Sequence, residues 1–271
     1  RVTSRSEAGK TRIDGVVAVR RTPRAGVAWG GYDKRLSEDI ADWYSTADSA
    51  RYTKEIVTLS AASAATPVVI DATELGDVMV LAGAPYLQGV EREDGSLEAA
   101  SDVCGQAFAY SFVMRHEGGD VPDDLPALRP DNPEFYGLNR FEWDRVWSYR
   151  RLKGTGAPAA GQLSLQNWNP GNDYGYRYLL VSRAEAAAQR NDWRGGVIVA
   201  ALEAGERHAY GWFRWYAERE PRGLKNRFTL ARDVVGTGHG LFKFPYVRDT
   251  RRSIGVGGFV LKGSDLTGAA A

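Results

Sequence analysis

Val68-Val69-Ile70-Asp71-Ala72-Thr73-Glu74-Leu75-Gly76-Asp77 is the stretch on which the reading of the fold turns. Three consecutive β-branched apolar residues suit a strand buried on both faces, and the run stops at Asp71-Ala72-Thr73. Gly76-Asp77 then supplies a turn and a helix N-cap candidate, and Val78 to Ala82 reads as a short helix closed by Gly83 and Pro85. The unit is strand, tight turn, helix. In open α/β sheets ligands bind at the carboxyl ends of strands, beside helix N-termini where free N–H groups and the helix dipole meet. The expected class is α/β, with a ligand near this turn.

Working outward, the first sixty residues alternate short apolar runs with polar stretches: Ile13 to Val19, Val27 to Trp29, and Ile56 to Leu59. That is the rhythm of short antiparallel strands. Downstream, Ala107 to Met114 alternates small and large residues, as in a strand with one wet face. Asp120 to Pro133 is irregular by its prolines, and aromatic residues crowd Phe135 to Tyr149. Leu163 to Asn167 reads as a strand leading into Trp168-Asn169-Pro170-Gly171-Asn172-Asp173-Tyr174, whose Pro-Gly and Asn-Asp are turn chemistry. Ser182 with Glu185 makes a capping box. Ile198, Ala201, Leu202, Ala209, Trp212, Phe213 and Tyr216 share one face of a helix, with Glu203, Glu206, Arg207, Arg214 and Glu218 elsewhere and Pro221 as its stop. Phe242 to Thr250 and Ile254 to Leu261 read as strands or extended segments.

Composition narrows the function. The 271 residues carry 35 Lys+Arg against 34 Asp+Glu, a net charge of +1, which argues against wholesale attraction to nucleic acid or membranes. At 43% hydrophobic and 25% charged the chain falls outside the disordered and fibrous classes. Its longest wholly apolar run, Val197 to Leu202, is far short of the roughly 20 residues that cross a bilayer. Cys104 is the only cysteine, so no internal disulfide forms and no thiolate cluster assembles from this chain. Opening on Arg1 and ending on three alanines, the chain reads as an internal piece of a longer polypeptide.

Candidate chemistry is sparse. Gly154-Thr155-Gly156-Ala157-Pro158-Ala159 fits a dinucleotide pattern in letters but follows no apolar strand, and Gly236 to Gly240 has the wrong spacing, so both read as loops. His116, His208 and His239 lack metal-ligand spacing, and no G-x-S-x-G elbow is present. Arg248, Arg251 and Arg252 could hold an anionic group, since guanidinium binds carboxylate and phosphate bidentately.

Three segments, in order, resemble the FAD-dependent oxidoreductase family related to the glutathione-reductase-like flavoproteins. They are Val68 to Glu91 with its "DAT" turn and "GD" helix, the Asn167 to Tyr174 loop, and Phe244-Pro245-Tyr246-Val247-Arg248-Asp249-Thr250-Arg251-Arg252-Ser253-Ile254-Gly255. The resemblance implies a Rossmann-like FAD-binding domain interrupted by a mixed α+β substrate domain. Residues 1–100 would be the later part of the FAD domain, 101–235 the substrate domain and 236–271 the return. The family's opening strand and G-x-G-x-x-G turn would then precede Arg1, the closing flavin segment would follow Ala271, and Asp249 stands where the family usually has Glu. It further implies FAD at Asp71, Ala72, Thr73, Gly76 and Asp77, where small residues let backbone approach a flat cofactor and helix N–H groups stand free. On the substrate side Asn172, Asp173, Tyr174, Arg248 and Arg251 would orient a small organic molecule undergoing hydride or two-electron transfer; no catalytic base is singled out. The rival expectation is a non-catalytic binding module, with Trp143, Trp147 and Trp168 as an aromatic platform for a sugar or a partner protein.

Overall fold

A computed structural model describes residues 1–60, 68–89, 105–248 and 251–267. Strands β1 (Val2–Glu7) and β2 (Lys10–Pro23) form a hairpin whose turn residues, Ala8 and Gly9, both have positive φ, the twist that matches paired strands. Helix α1 (Leu36–Tyr44) follows, and β3 (Tyr52–Ser60) returns antiparallel to β2, setting Val16, Val17 and Val19 opposite Leu59, Thr58 and Ile56. Strands alone were expected here. The helix forms because Leu36, Ile40 and Trp43 recur at helical spacing and bury together.

Next come α2 (Asp77–Ala82), β4 (Tyr86–Leu87), β5 (Phe108–Ala109), β6 (Phe112–His116), α3 (Trp143–Tyr149), β7 (Arg151–Lys153), β8 (Leu163–Gln166) and β9 (Asp173–Tyr174). The chain continues through α4 (Arg183–Ala188), α5 (Val199–Glu218), β10 (Phe228–Leu230), α6 (Arg232–Val235), β11 (Arg252–Ser253) and α7 (Gly263–Thr267). Besides the meander β1-β2-β3 there is a four-stranded sheet, β10-β6-β8-β7, and the pairs β4-β11 and β5-β9. Helix and strand are thus mixed, and every strand pairing among the described residues is antiparallel.

The core is built on α5, whose Ala201, Leu202, Ala209, Trp212, Phe213 and Tyr216 are buried as the periodicity expects. They meet Phe108, Tyr110, Phe112, Tyr136, Trp147 and Tyr174, and the same cluster takes in Leu36, Leu75 and Leu241. Burying side chains of this size stabilises by about 1.5–3 kcal/mol each. Gly205 is required where α5 crosses β5, since a Cβ there would lie 2.6 Å from the Phe108 ring. The Ser182–Glu185 box caps α4 in both directions, at 3.2 and 2.9 Å.

Four expectations are corrected. Val68 to Ile70 is not a buried strand: no described strand pairs with it, and Val68 and Ile70 are 89% and 85% exposed. The strand expected over Ala107 to Met114 has no wet face, because Phe108 to Met114 is buried throughout and Phe112 packs on Phe213 of α5. Glu206, assigned to the polar side of α5, is fully buried, four residues from both Leu202 and Tyr210 on the apolar stripe. It accepts hydrogen bonds from the backbone N–H and hydroxyl of Ser37, at 3.0 and 2.5 Å, and so fastens α1 to α5. In place of strands over 242–250 and 254–261, the described residues form an isolated bridge at Tyr246, the two-residue β11 and a 3₁₀ turn at Val256–Gly258. The glycines at 255, 257 and 258 favour turns over a continuous ladder. Cys104, Asp249 and Thr250 lie outside the described residues.

Candidate functional site

The turn after Ile70 is organised by its own side chains. Asp71 Oδ1 accepts from the backbone N–H and hydroxyl of Thr73, at 3.0 and 2.7 Å, the local ring that Asp favours in turns. Thr73 Oγ1 accepts from Asp77 N–H at 2.7 Å, and Asp71 Oδ2 from Met79 N–H at 2.8 Å. Of the helix N–H groups expected to stand free for a ligand, those of Asp77 and Met79 are therefore capped from within. Gly76, with φ of 66°, is the residue before α2, while Asp77 is its first helical residue. The Asp77 carboxylate accepts from the Tyr44 hydroxyl, at 3.0 Å, and from the Trp193 indole N–H, which ties α2 to α1 and to the segment ahead of α5. Burial and this carboxylate together push the Tyr44 hydroxyl far above its usual pKa.

Arg251 belongs to the same scaffold. Its side chain is buried, and its guanidinium donates to the carbonyls of Leu75 at 2.6 Å, Gly196 at 3.1 Å and Gly195 at 3.4 Å. It clamps the turn onto the Gly195-Gly196 bend.

The loop from Asn167 to Tyr174 is held by Asn172, which is fully buried. Its Oδ1 accepts from Trp168 N–H at 2.9 Å, and its Nδ2 donates to the carbonyls of Tyr110 and Gln166 at 2.8 and 3.1 Å. Tyr174 is also buried, with its hydroxyl donating to Asp131 at 2.8 Å. Both residues therefore support the loop from behind. Asp173, 2% exposed, accepts two hydrogen bonds from Arg248 Nη2 at 2.9 and 3.0 Å, while Arg248 Nη1 donates to the Ala107 carbonyl at 2.7 Å. Burial raises the Asp173 carboxyl above the usual carboxylate range, and Arg248 partly offsets this.

These segments converge on one cleft of about 810 Å³. Glu74 comes from the first segment, Asn167, Trp168, Asn169 and Asp173 from the second, and Phe244, Pro245, Tyr246 and Arg248 from the third, while α3 and its flanks add Phe141, Arg145, Tyr149 and Arg150. The volume is within the range of small-molecule sites. Of the five substrate-side candidates, Asp173 and Arg248 line it. Among the cofactor-side candidates, Thr73 and Asp77 line a second cavity of about 920 Å³ beneath the β1-β2-β3 meander; Asp71 and Gly76 shape the turn, and Ala72 is exposed.

Three residues in the first cleft were not singled out from sequence. Glu74 forms no hydrogen bond or ion pair among the described residues, and neither do the guanidinium groups of Arg145 and Arg150. Trp168 packs between Phe141 and Tyr149, at 5.5 and 5.3 Å, and its buried indole N–H has no partner among the described residues. Arg145 stands over Phe141 at 4.6 Å and Arg150 near Tyr149 at 5.7 Å. Their exposure in a charged, aromatic stretch looked like ordinary surface. The expected aromatic platform does not exist: Trp147 is fully buried, and Trp143 stacks on Tyr216 at 4.6 Å with its N–H donated to the Tyr216 carbonyl.

The cleft combines aromatic walls and a buried indole N–H without a partner among the described residues with the charged side chains of Glu74, Arg145, Arg150, Asp173 and Arg248. Of the backbone donors at the turn from Asp71 to Asp77 and into α2, the N–H groups of Thr73, Gly76, Asp77 and Met79 are engaged within the chain. No described helix is long and apolar enough to cross a membrane, and no group of three or more His, Cys, Asp or Glu among the described residues could hold a metal.

Comparison with known proteins finds the family described as FAD dependent oxidoreductase, matching residues 41–271. No curated protein and no solved structure matches the chain.

Proposed function

The chain belongs to the FAD dependent oxidoreductase family, whose cofactor is FAD, and from that premise we propose that the cleft lined by Glu74, Trp168, Asp173 and Arg248 is its redox site. The observation that carries the reading is the convergence there of three segments separated by about a hundred and by seventy residues of sequence. The residues that would hold the flavin ring are Trp168, through its unpartnered N–H, and the rings of Phe244 and Tyr246 beside it. Bound there, the flavin supplies two-electron transfer with a small organic substrate. The protein's own part is orientation and proton handling. Arg248 keeps Asp173 in place, and Glu74 is the cleft carboxylate free to take a substrate proton.

The turn residues Asp71, Ala72, Thr73, Gly76 and Asp77 belong to the cofactor side of this reading, as the loop that shapes both cavities. The division at residues 100 and 235, and a Rossmann-like, glycine-rich part of the flavin domain on further segments of the same polypeptide, belong to it also. What supports the last point is that every strand pairing among the described residues is antiparallel and that several backbone donors of the turn are engaged within the chain.

Trp168→Phe keeps a ring and removes the N–H. Equilibrium dialysis against FAD should show roughly five- to tenfold weaker retention, the worth of about one hydrogen bond, with an unchanged circular dichroism spectrum. Retention equal to wild type would take the flavin ring away from Trp168.

A further inference from the structure

The cleft carries more positive charge than it neutralises. Of its three arginines, Arg248 is hydrogen-bonded to Asp173, Arg150 acts on that carboxylate only through space, and neither Arg145 nor Arg150 makes an ion pair or side-chain hydrogen bond among the described residues, Glu74 included. Elsewhere in the molecule arginines find acids: Arg207 meets Asp131, Arg222 meets Asp144 and Arg115 meets Asp233. Arg145 and Arg150 are also pre-positioned. Each is set against an aromatic ring, and those two rings flank Trp168, giving the order Arg145, Phe141, Trp168, Tyr149, Arg150 across the cleft. A guanidinium held at a ring face keeps its in-plane N–H edge for a planar oxyanion and loses less freedom on binding it. With a net charge of only +1 on the whole chain, such attraction is local to the site and not a general affinity for polyanions.

We propose that Arg145 and Arg150 form an oxyanion clamp, and that the substrate of this oxidoreductase is a small organic acid whose carboxylate they hold against the Trp168 wall. This rests on the reading of the cleft as the redox site, and the same pair of charges could in principle meet the cofactor's phosphates, so the experiment separates the two.

Binding of succinate is followed by tryptophan fluorescence and calorimetry at constant ionic strength without flavin, and FAD uptake is measured separately by absorbance. The variants are Arg145→Gln, Arg150→Gln and, as control, Arg219→Gln, an arginine stacked on Trp215 at 3.9 Å outside the cleft. Wild type should bind succinate, each cleft variant should weaken it by about tenfold, and the control and FAD uptake should not change. No succinate binding by wild type, equal weakening by Arg219→Gln, or loss of FAD uptake in the cleft variants would overturn the clamp. Arginine-dependent succinate binding by a protein that takes up no FAD would uphold the clamp and fail the redox reading. FAD uptake without succinate binding would do the reverse.

Discussion

Asp173 and Arg248 show how burial and charge trade against each other at one residue. Removing the cation leaves a carboxylate at 2% exposure without its partner, so Arg248→Met should cost about 2 kcal/mol at pH 8, a buried-pair loss discounted for the part-exposed arginine. Because the Asp173 carboxyl is already raised in the fold, acidification protonates it and removes the uncompensated charge. The penalty should therefore shrink toward pH 5, as read by urea denaturation at both pH values. A deficit independent of pH would mean that packing, not charge, is what Arg248 supplies. Asn172 behaves differently. Asn172→Ala breaks the bonds to Trp168, Tyr110 and Gln166 in a dry interior and should destabilise by about 2–4 kcal/mol in the same assay. The turn chemistry of Asn172-Asp173 was legible in the sequence, but not which of the two faces the cleft. That depends on strands β6 and β8 brought together from fifty residues apart. Arg145 and Arg150 were illegible for a related reason, since an unpaired charge is recognised only once every potential partner has a position.

At the scale of elements, α2 is a six-residue helix, too short to persist without its caps and packing. Thr73→Val should cost about 1 kcal/mol by removing the acceptor for Asp77 N–H. Arg251→Leu should do more, leaving the Leu75 carbonyl without the Arg251 donor and the Gly196 carbonyl with Val181 N–H alone. Hydrogen exchange over Leu75 to Gly83 should accelerate strongly in Arg251→Leu while α5 stays protected. Loss of protection in both together would make the clamp part of global stability. Helices α2, α4 and α5 could be read from Gly-Asp, the capping box and the 3.6-residue stripe, which are local signals. Val68 to Ile70 misled because apolarity states a demand for burial without supplying the neighbours that would meet it. Helix α1 was obscured by the strand-like composition around it, although Leu36, Ile40 and Trp43 carried the spacing.

The whole molecule hides its histidines. Burial lowers His208 to about 4, burial and then Lys243 lower His239 to about 4, and burial lowers His116 as well. Between about pH 6.5 and 4 the unfolded chain takes up protons that the folded chain refuses, so stability falls as pH falls through that window. His208→Phe removes one such group while Tyr136 keeps its bond to the residue 208 carbonyl at 2.7 Å. Its stability should decline less from pH 7 to pH 4, by up to about 3 kcal/mol, in thermal melts across that range. Identical pH profiles would show that His208 protonates without opposing the fold. The mixture of helix and strand and the FAD dependent oxidoreductase family were legible from patterns of a few residues, whereas the antiparallel pairing among the described residues and the core cluster joining Leu36, Leu75, Trp212 and Leu241 emerge only from long-range contacts.

The central claim, that this family member uses its convergent cleft for flavin chemistry, is tested most directly by the visible absorbance spectrum of the purified full polypeptide, before and after denaturation. Flavin bands near one per chain, perturbed while folded and released as FAD, are the expected result. A folded, colourless protein that takes up no added FAD would contradict the account.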